Sequence, residues 1–196
     1  MSKIIGICGS PNGKKSTTLF ALQKALEACA NAGFETELIE LCQYKIAGCI
    51  DCSTCKKELN CSQKDDFTEQ LIPILADASV SGFIFASPVY FGGITGQLKT
   101  FLDRTVMFRR NGFLFANKVA GALTVGRSRH GGQELAAMDV IHAALIHGMV
   151  VVSDAAPTSH FGANLWSGIP EGLESDAVGI ETAINLGINV ARHAGK

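Results

Sequence analysis

Apolar runs and amphipathic stretches alternate along the chain. Short, continuously apolar runs rich in β-branched residues are typical of strands that are buried on both faces of a parallel sheet. Such runs, with a weaker alternating pattern at 34–41, predict five strands at residues 3–8, 34–41, 80–87, 119–125 and 149–152. Between the strands, apolar residues three and four positions apart predict helices at 16–31, 65–78, 96–110, 133–147 and 174–193.

This alternation predicts an α/β fold. Five strand–helix units in 196 residues match a doubly wound, five-stranded parallel sheet in the flavodoxin-like order 2-1-3-4-5. Residues 43–66 are polar, cysteine-rich and without a clear period, so we expect an inserted loop after strand 2. Residues 155–172 contain two prolines and are expected to be irregular. Because no repeat or linker is visible, we predict a single domain over residues 1–196, with the insertion at about 43–66.

Composition narrows the range of functions. Hydrophobic residues make up 47% of the chain and charged residues 18%, which suits a folded domain rather than a disordered chain. The formal net charge of -1 provides no basic field for nucleic acid. The longest apolar stretch, residues 140–152, falls short of the roughly 20 residues that span a membrane, and the first residues lack a secretory pattern. We therefore expect a cytoplasmic protein that binds neither nucleic acid nor membrane.

The loop after strand 1 has the ingredients of an anion site. Residues 9–18 bring together glycine, several hydroxyl groups and the backbone amides of a helix start. Neither the Walker A pattern nor G-x-G-x-x-G fits this segment, which favours a single terminal phosphate over a pyrophosphate. An ordinary capped strand-to-helix turn is the alternative.

Two further loops should emerge at the same edge of the sheet, where ligands bind in such folds. After strand 3, residues 88–93 offer two aromatic side chains and two glycines against which a planar ring could rest. After strand 4, residues 126–132 form a glycine-rich flap. Taken alone, Arg127 and Arg129 would be interpreted as solvated surface charges. Together the phosphate loop, the ring-binding loop and the flap predict a flavin mononucleotide (FMN) site.

Four of the seven cysteines fall within thirteen residues, in the pattern C-x2-C-x2-C-x5-C. Three equally spaced thiolates from one loop, with a fourth close behind, favour a [4Fe–4S] cluster. The alternatives are zinc, which is usually held by two C-x2-C pairs across a longer spacer, and free or redox-switching thiols. The predicted ligands are Cys49, Cys52, Cys55 and Cys61. Small buried hydrophobic roles are expected for the others, Cys8, Cys29 and Cys42.

Other polar residues give weaker signals. His142 and His147 are five positions apart and do not share a helix face, so we interpret them as packing residues or helix-end charges. Asp103 and Arg104 are expected to form a helix-face pair. No arrangement of nucleophile and base stands out, and we assign no catalytic residue.

The sequence resembles the iron–sulfur flavoproteins of anaerobic archaea and bacteria, part of the flavodoxin-like group that includes the NAD(P)H-dependent FMN reductases. The resemblance spans nearly the whole chain. Many flavodoxin-like reductases share Gly9-Ser10-Pro11 and Pro88-Val89-Tyr90. Within that group, the four cysteines at this spacing and the segment Gly131-Gly132-Gln133-Glu134 make the sequence most similar to the iron–sulfur flavoproteins.

The resemblance implies which residues bind the two cofactors. The phosphate would be held by Ser10, Pro11, Ser16 and Thr17, while residues 88–92 would line the isoalloxazine ring, residues 126–131 would close over it, and the four cysteines would ligate the cluster. Where relatives often have an arginine after Ser-Pro and an asparagine before the threonine, this chain has Asn12 and Ser16, so Lys14 or Lys15 could replace the lost charge. The complete set of predicted flavin-binding residues is Ser10, Pro11, Asn12, Lys14, Ser16, Thr17, Thr18, Pro88, Val89, Tyr90, Phe91, Gly92, Gly126, Arg127, Ser128 and Gly131.

The function that the resemblance implies is electron transfer. Such a protein would take single electrons from a ferredoxin-like donor through its cluster and pass them to FMN, with dioxygen or hydrogen peroxide as an outlet. It would form homodimers or tetramers in which each FMN lies closer to a partner's cluster than to its own. Residues 161–169, including Trp166, would either form part of that contact or pack over their own domain. The alternative function is that of an NAD(P)H-dependent FMN or quinone reductase without a working cluster.

Overall fold

A parallel sheet runs through the computed structural model, which describes residues 2–195. The strand order is β2-β1-β3-β4-β5, every pairing is parallel, and β6 also pairs with β4. The predicted α/β fold and its flavodoxin-like strand order are therefore confirmed. The strands are β1 (Lys3–Cys8), β2 (Glu35–Glu40), β3 (Val80–Pro88), β4 (Val119–Gly126), β5 (Val150–Val151) and β6 (Ala163–Trp166).

Helices cover both faces of this sheet. The predictions at 16–31, 133–147 and 174–193 agree with α1, α5 and α6 apart from a few end residues. A π-helical turn, Phe67–Leu71, leads into α2. The helices are α1 (Thr17–Asn31), α2 (Ile72–Leu75), α3 (Gly96–Arg104), α4 (Val106–Arg110), α5 (Gln133–Ile146) and α6 (Ala177–Ala194).

Two predicted helices are shorter than the pattern suggested. The helix expected at 65–78 is a π-helical turn followed by one four-residue helix, in which Pro73 lacks a backbone donor. The helix expected at 96–110 is interrupted at Thr105, whose Oγ1 donates to the carbonyl of Leu102 at 2.6 Å and lies 2.8 Å from His147 Nε2. His147 is buried, and desolvation lowers its pKa to about 4, so of the two interpretations it is a neutral packing residue and not a helix-end charge.

The outer edge beside β4 is occupied by two short strands in succession. Val119 and Ala120 pair with β5, whereas β6 pairs with β4 further along, from Leu123 to Gly126. The predicted fifth strand at 149–152 is thus only two residues long, and the expectation that 155–172 is irregular throughout is wrong. Because β6 has only four residues, its alternating burial is too short to show as a period in the sequence.

The core has two parts, one on each face of the sheet. On the face covered by α3, α4 and α5, aromatic rings pack closely, with the centroids of Phe108 and Phe115 only 4.5 Å apart. On the opposite face, aliphatic side chains of α1 and α6 pack against β1, β3 and β4. Within residues 2–195, no helix combines the length and apolarity that would be required to span a bilayer.

The contact between α1 and α6 requires a glycine. At Gly187 a Cβ atom would collide with the backbone carbonyl oxygen of Ala25 and lie 3.0 Å from the Cβ of Ala28. Cys29 Sγ also donates to the carbonyl of Gly187 at 3.3 Å, so the two helices touch through backbone and small side chains. Their separation is fixed by the absence of a side chain at this one position.

We expect Gly187→Ala to lower the free energy of unfolding. Overpacking of this kind costs about 1–3 kcal/mol, which exceeds the roughly 1 kcal/mol that alanine gains in helix propensity. Urea denaturation followed by circular dichroism measures the difference. Gly96→Ala is the matched control, because a Cβ there meets nothing within 4 Å. Equal stability of Gly187→Ala and the unsubstituted protein would contradict the packing argument.

Candidate functional site

Three loops meet at the carboxyl edge of the sheet, as the sequence predicted. They follow β1, β3 and β4, which are neighbours in the strand order. Val89 N donates to the carbonyl of Val125 at 2.9 Å, joining the second loop to the end of β4. The second and third loops also touch, since a Cβ built on Gly132 would lie 3.2 Å from the Cα of Gly92. The predicted flavin-binding segments are therefore adjacent in space.

The loop after β1 is shaped by two buried serines. Ser10 Oγ accepts from Asn12 N at 3.3 Å, and Ser16 Oγ accepts from Leu19 N at 3.0 Å, which caps α1. Gly13 turns the chain between them with a φ of +51°. Both serine hydroxyls keep their own hydrogen, so each can still donate to a ligand oxygen.

Donors at the start of α1 fit a phosphate group. The backbone N–H groups of Thr17 and Thr18 belong to the first turn, where a helix provides no internal acceptor. Thr18 is buried, and its hydroxyl has no hydrogen-bond partner among the described residues. A buried hydroxyl without a partner is costly, and an oxygen-rich ligand at this helix start would satisfy it. Lys14 and Lys15 are exposed beside this loop.

The loop after β3 is a tight turn with an aromatic tip. Tyr90 and Gly93 exchange two backbone hydrogen bonds, of 2.9 and 3.1 Å, and Phe91 and Gly92 between them have φ angles of +52° and +82°. The Phe91 ring is fully exposed, and that of Tyr90 is half exposed. A bulky residue with positive φ at a solvent-facing tip is typical of a functional position. Both rings are therefore accessible at the edge of the sheet where the sequence predicts a planar ligand.

Thr95 joins the first two loops, and sequence analysis did not identify it. Its Oγ1 donates to the carbonyl of Gly9 at 2.7 Å and accepts from Leu98 N at 3.1 Å, which caps α3. Its backbone N–H donates to Ser87 Oγ at 3.1 Å. One buried residue therefore fixes the phosphate loop, the end of β3 and the start of α3 relative to one another.

Gln133 holds the flap after β4 from within. Its Nε2 donates to the carbonyl of Ser128 at 2.8 Å, and its Oε1 accepts from Gly131 N at 2.9 Å. A Cβ at Gly126 would collide with this carboxamide, so any side chain there would displace Gln133 from its present position. The motif containing Gln133 was noticed in the sequence, but its bonding to the flap backbone was not predicted.

Trp166 holds the same flap from outside. Its Nε1 donates to the carbonyl of Arg127 at 2.8 Å, and the guanidinium of Arg129 lies 4.3 Å from its ring centroid. Arg127 and Arg129 are exposed, as expected for surface charges, but Arg129 also stacks on this indole. Trp166 thus packs over its own domain, whereas Phe161 remains exposed.

The four clustered cysteines line one small cavity, together with residues of α3 and α4. Cys49 and Cys52 are exposed, and Cys55 and Cys61 are half-buried. No three Cys, His, Asp or Glu side chains within residues 2–195 are arranged to hold a metal ion. Four thiols that line one cavity are nevertheless the donor set expected for an iron–sulfur cluster, so the chemistry of these residues, rather than their spacing in this structure, fits the predicted group.

Arg104 anchors the cysteine loop, and its expected pairing with Asp103 is wrong. The Arg104 side chain is buried and donates to Asp65 Oδ2 at 2.7 Å, to the carbonyl of Ala47 at 2.8 Å and to Thr68 Oγ1 at 3.1 Å. Burial alone would raise the pKa of Asp65, but the hydrogen bonds from Arg104 and the loop backbone hold it below its usual value. Asp103 instead pairs with Lys99 at 2.6 Å.

Hydrogen bonds prepare one cysteine of the loop for ligation. Ser62 Oγ donates to Cys52 Sγ at 2.9 Å, and the Thr54 hydroxyl lies 3.5 Å from the same sulfur. These contacts, that with Ser62 first, lower the pKa of the Cys52 thiol to about 6. At neutral pH the thiolate therefore predominates, and the thiolate is the form that binds metal.

The other three cysteines lie elsewhere in the fold. Burial raises the pKa of Cys8 to about 11 and that of Cys29 to about 12, so both are the inert core residues that we expected. Cys42 is only half-buried, because it lies in a 3₁₀ turn just after the edge strand β2. The expectation of burial is wrong for Cys42.

Comparison with known proteins agrees with this arrangement. The family model for NADPH-dependent FMN reductases matches residues 2–163. The chain is 43% identical to an iron–sulfur flavoprotein of Methanocaldococcus jannaschii, over 96% of this chain and 95% of that protein. It is 39% identical to an iron–sulfur flavoprotein of Methanosarcina thermophila, over 92% of this chain and 88% of that one.

A solved structure supports the fold independently. The crystal structure of a flavodoxin, WrbA-like protein from Agrobacterium tumefaciens superposes with a TM-score of 0.65 at 21% identity, covering 100% of this chain and 98% of that chain. Identity at that level speaks for the fold alone, which is the flavodoxin-like one predicted from the sequence. Fold, site and sequence relatives agree: the chain belongs to the NADPH-dependent FMN reductase family and to the iron–sulfur flavoproteins.

Proposed function

We propose that this FMN-dependent oxidoreductase is an electron-transfer flavoprotein that receives single electrons from a ferredoxin-like donor. Its redox centres would be FMN at the three-loop site and a [4Fe–4S] cluster on the four clustered cysteines. The observation that carries the proposal is that these cysteines line one cavity in a chain whose relatives are iron–sulfur flavoproteins. When bound, a cluster supplies one-electron exchange and a flavin supplies one- or two-electron exchange, so the pair links the two kinds of chemistry.

The residues of the three-loop site would bind and orient FMN. Ser10, Ser16 and the free amides of α1 provide donors for a phosphate, with Lys14 or Lys15 in place of the arginine that relatives often have. The tight turn that bears Tyr90 and Phe91 offers an aromatic surface for the isoalloxazine ring. The flap is held by Gln133 and Trp166. It would limit the access of water to the face of the ring that it covers.

The residues of the cysteine loop would hold the cluster. The buried ion pair of Arg104 with Asp65 fixes the loop to α3, and the hydrogen bond from Ser62 favours the thiolate of Cys52. Dioxygen or hydrogen peroxide would serve as the outlet for electrons.

The second candidate function is direct reduction of flavin or quinone by NAD(P)H. It is favoured by the description of the matching family model, which names NADPH as the reductant. Against it stands the absence of a G-x-G-x-x-G fingerprint from the sequence, although nicotinamide can stack on an exposed flavin without that motif. The two functions differ in whether electrons must pass through the cysteine loop.

We expect Cys52→Ala to block electron entry while FMN remains bound, because the flavin loops follow other strands. Reduction of bound flavin by reduced ferredoxin, monitored anaerobically by stopped-flow absorbance, should be at least about tenfold slower in this variant, since one cluster ligand is lost. Iron and sulfide analysis should show that the cluster is missing. Cys42→Ala is the matched control, since it removes a half-buried thiol outside the four-cysteine cavity.

Two results would contradict the proposal. If NADPH reduces the flavin as fast as reduced ferredoxin does, and Cys52→Ala leaves that rate unchanged, the second candidate function is correct. If a folded Cys52→Ala variant no longer binds FMN, the two sites are not separate.

Gln133→Ala is expected to weaken FMN binding. The substitution removes two hydrogen bonds to the flap backbone, which together are worth about 1–3 kcal/mol, or about 5- to 150-fold in Kd. Titration of the FMN-free protein with FMN, followed by flavin fluorescence, measures the change. Glu134→Ala is the control because Glu134 is exposed on the same helix. An unchanged Kd for Gln133→Ala would show that the flap does not contribute to binding.

We also propose that the protein is a homo-oligomer, either a dimer or a tetramer formed by two dimers. In this assembly each FMN would lie nearer to a partner's cluster than to the cluster of its own subunit. Support comes from α5, which is apolar on its outer side as well as its inner side. Leu135, Leu145 and Ile146 are all more than half exposed there. Ile146 borders a groove of about 650 Å³ between α5 and the α3–α4 segment, and Cys49 lines the same groove. A second copy seated on this surface would lie beside the cysteine loop.

We expect Ile146→Glu to dissociate the oligomer, because burying a new carboxylate in an apolar contact is costly. Sedimentation velocity at micromolar concentration measures the assembly state. Val178→Glu is the matched control, since Val178 on α6 is 65% exposed and Ile146 is 64% exposed. If the unsubstituted protein is a monomer that still moves electrons from cluster to flavin at full rate, the assembly proposal fails.

A further inference from the structure

Two residues at the end of α4 donate hydrogen bonds to Cys55 of the cysteine loop. Arg110 Nη1 donates to Cys55 Sγ at 3.1 Å, and Asn111 Nδ2 donates to the carbonyl of Cys55 at 2.9 Å. The same amide group donates to the carbonyl of Met107 at 2.8 Å, which fixes it to α4 itself. Because the backbone of Cys55 is held, the distance from its sulfur to the guanidinium is set by the fold rather than by a flexible surface contact.

The charge of Arg110 is only weakly compensated. Its neighbouring carboxylate, that of Asp51, lies 3.6 Å from Nη2 and its side chain is 83% exposed, so water screens the pair. By contrast, Arg104 is buried and bonded to Asp65 through both terminal nitrogens. The two arginines border the same cavity, but Arg104 serves to anchor the loop, whereas Arg110 directs a nearly free positive charge at a sulfur.

A donor and a positive charge at a ligating sulfur affect the two redox states unequally. A cysteine sulfur that is bonded to iron still has a lone pair that can accept an N–H. Reduction adds one negative charge to a cluster and its thiolates, so a nearby guanidinium stabilises the reduced state more than the oxidised state. Arginine stays protonated throughout the accessible pH range, so this stabilisation does not depend on its titration.

We propose that Arg110 is a positioning residue that raises the reduction potential of the cluster held by the cysteine loop, by donating to Cys55 Sγ and placing its charge there. The inference rests on the proposed function, because it requires Cys55 to be a cluster ligand. A higher potential makes it easier for the donor to deliver an electron at this site.

The Arg110→Gln variant tests the proposal. The midpoint potential of its cluster is compared with that of the cluster in the unsubstituted protein. Redox titration of the reconstituted proteins, followed by electron paramagnetic resonance, gives the potential independently of activity. We expect the equilibrium constant for one-electron reduction to fall about tenfold in Arg110→Gln, which corresponds to about 59 mV. Arg110→Lys keeps the charge but loses the planar fork, so its potential should lie between the two.

Arg109→Gln is the matched control. It removes the same charge from the preceding position, where the guanidinium lies 5.2 Å from the ring of Phe113 rather than on a cysteine. We expect less than about a twofold change in its equilibrium constant for reduction, since solvent screens an exposed charge. Iron and sulfide are measured for every variant, so that a potential is compared only between proteins that carry the cluster.

Three results would overturn the inference. If Arg110→Gln carries a full cluster with an unchanged potential, Arg110 does not tune it. If Arg110→Gln contains less iron but its remaining cluster has the original potential, Arg110 is a purely structural clamp. If the unsubstituted protein takes up no iron and sulfide on reconstitution, the proposed function fails and this inference fails with it.

Discussion

Helix α3 is anchored at both ends, and the two candidate sites depend on this constraint. At its start, Thr95 bonds to Gly9 and Ser87, so the helix is fixed to the phosphate loop and to β3. At its end, Arg104 forms a buried ion pair with Asp65 of the cysteine loop. Nine residues of helix span about 13 Å, which makes α3 a rigid spacer between the flavin edge and the cysteines. Removing one partner of a buried pair leaves the other charge unpaired, so the position of the loop depends on both residues being present.

The flavin edge combines preformed parts with one that is left open. The flap is bonded on its inner side to Gln133 and on its outer side to Trp166, so hydrogen bonds within the chain itself hold its backbone. Phe91 is the opposite case, because its ring is fully exposed and its φ is positive. A site that is largely preorganised loses little conformational entropy on binding, and the exposed aromatic tip then supplies the apolar contact. A held flap and an exposed aromatic ring together suit a planar ligand that enters from the solvent side, where Phe91 lies.

The periodic features of the fold could be predicted from the sequence, but the contacts that hold the sites together could not. Apolar runs and helical spacing predicted three helices to within a few end residues, because buried positions recur at a regular interval. The strand order was predicted by matching the five strand–helix units to the flavodoxin-like fold. The short strand β6 has too few residues to show a period. The role of Arg104 also has no periodic pattern, because its partner Asp65 lies 39 positions away. Without a spatial neighbour, a buried arginine cannot be distinguished from an exposed one in a charged helix. Thr95 escaped prediction for the same reason, since its Oγ1 bonds to the carbonyl of Gly9, 86 positions away. Gln133 bonds to backbone atoms only two and five positions away, but those bonds depend on the path of the flap backbone, which has no periodic pattern.

Six of the seven cysteines divide into two chemical classes because of their surroundings, and the sequence spacing anticipates this division; Cys42 belongs to neither class. Cys8 and Cys29 lie in the aliphatic core, where desolvation disfavours the thiolate and raises the pKa. The clustered cysteines lie in a polar loop that donates hydrogen bonds to sulfur, from Ser62 to Cys52 and from Arg110 to Cys55. Polar residues keep such a loop out of the core, and one of them, Ser62, stabilises the thiolate of Cys52. Segment polarity therefore determines where these thiols lie, so clustered spacing in a polar segment is a better guide to candidate metal ligands than the number of cysteines.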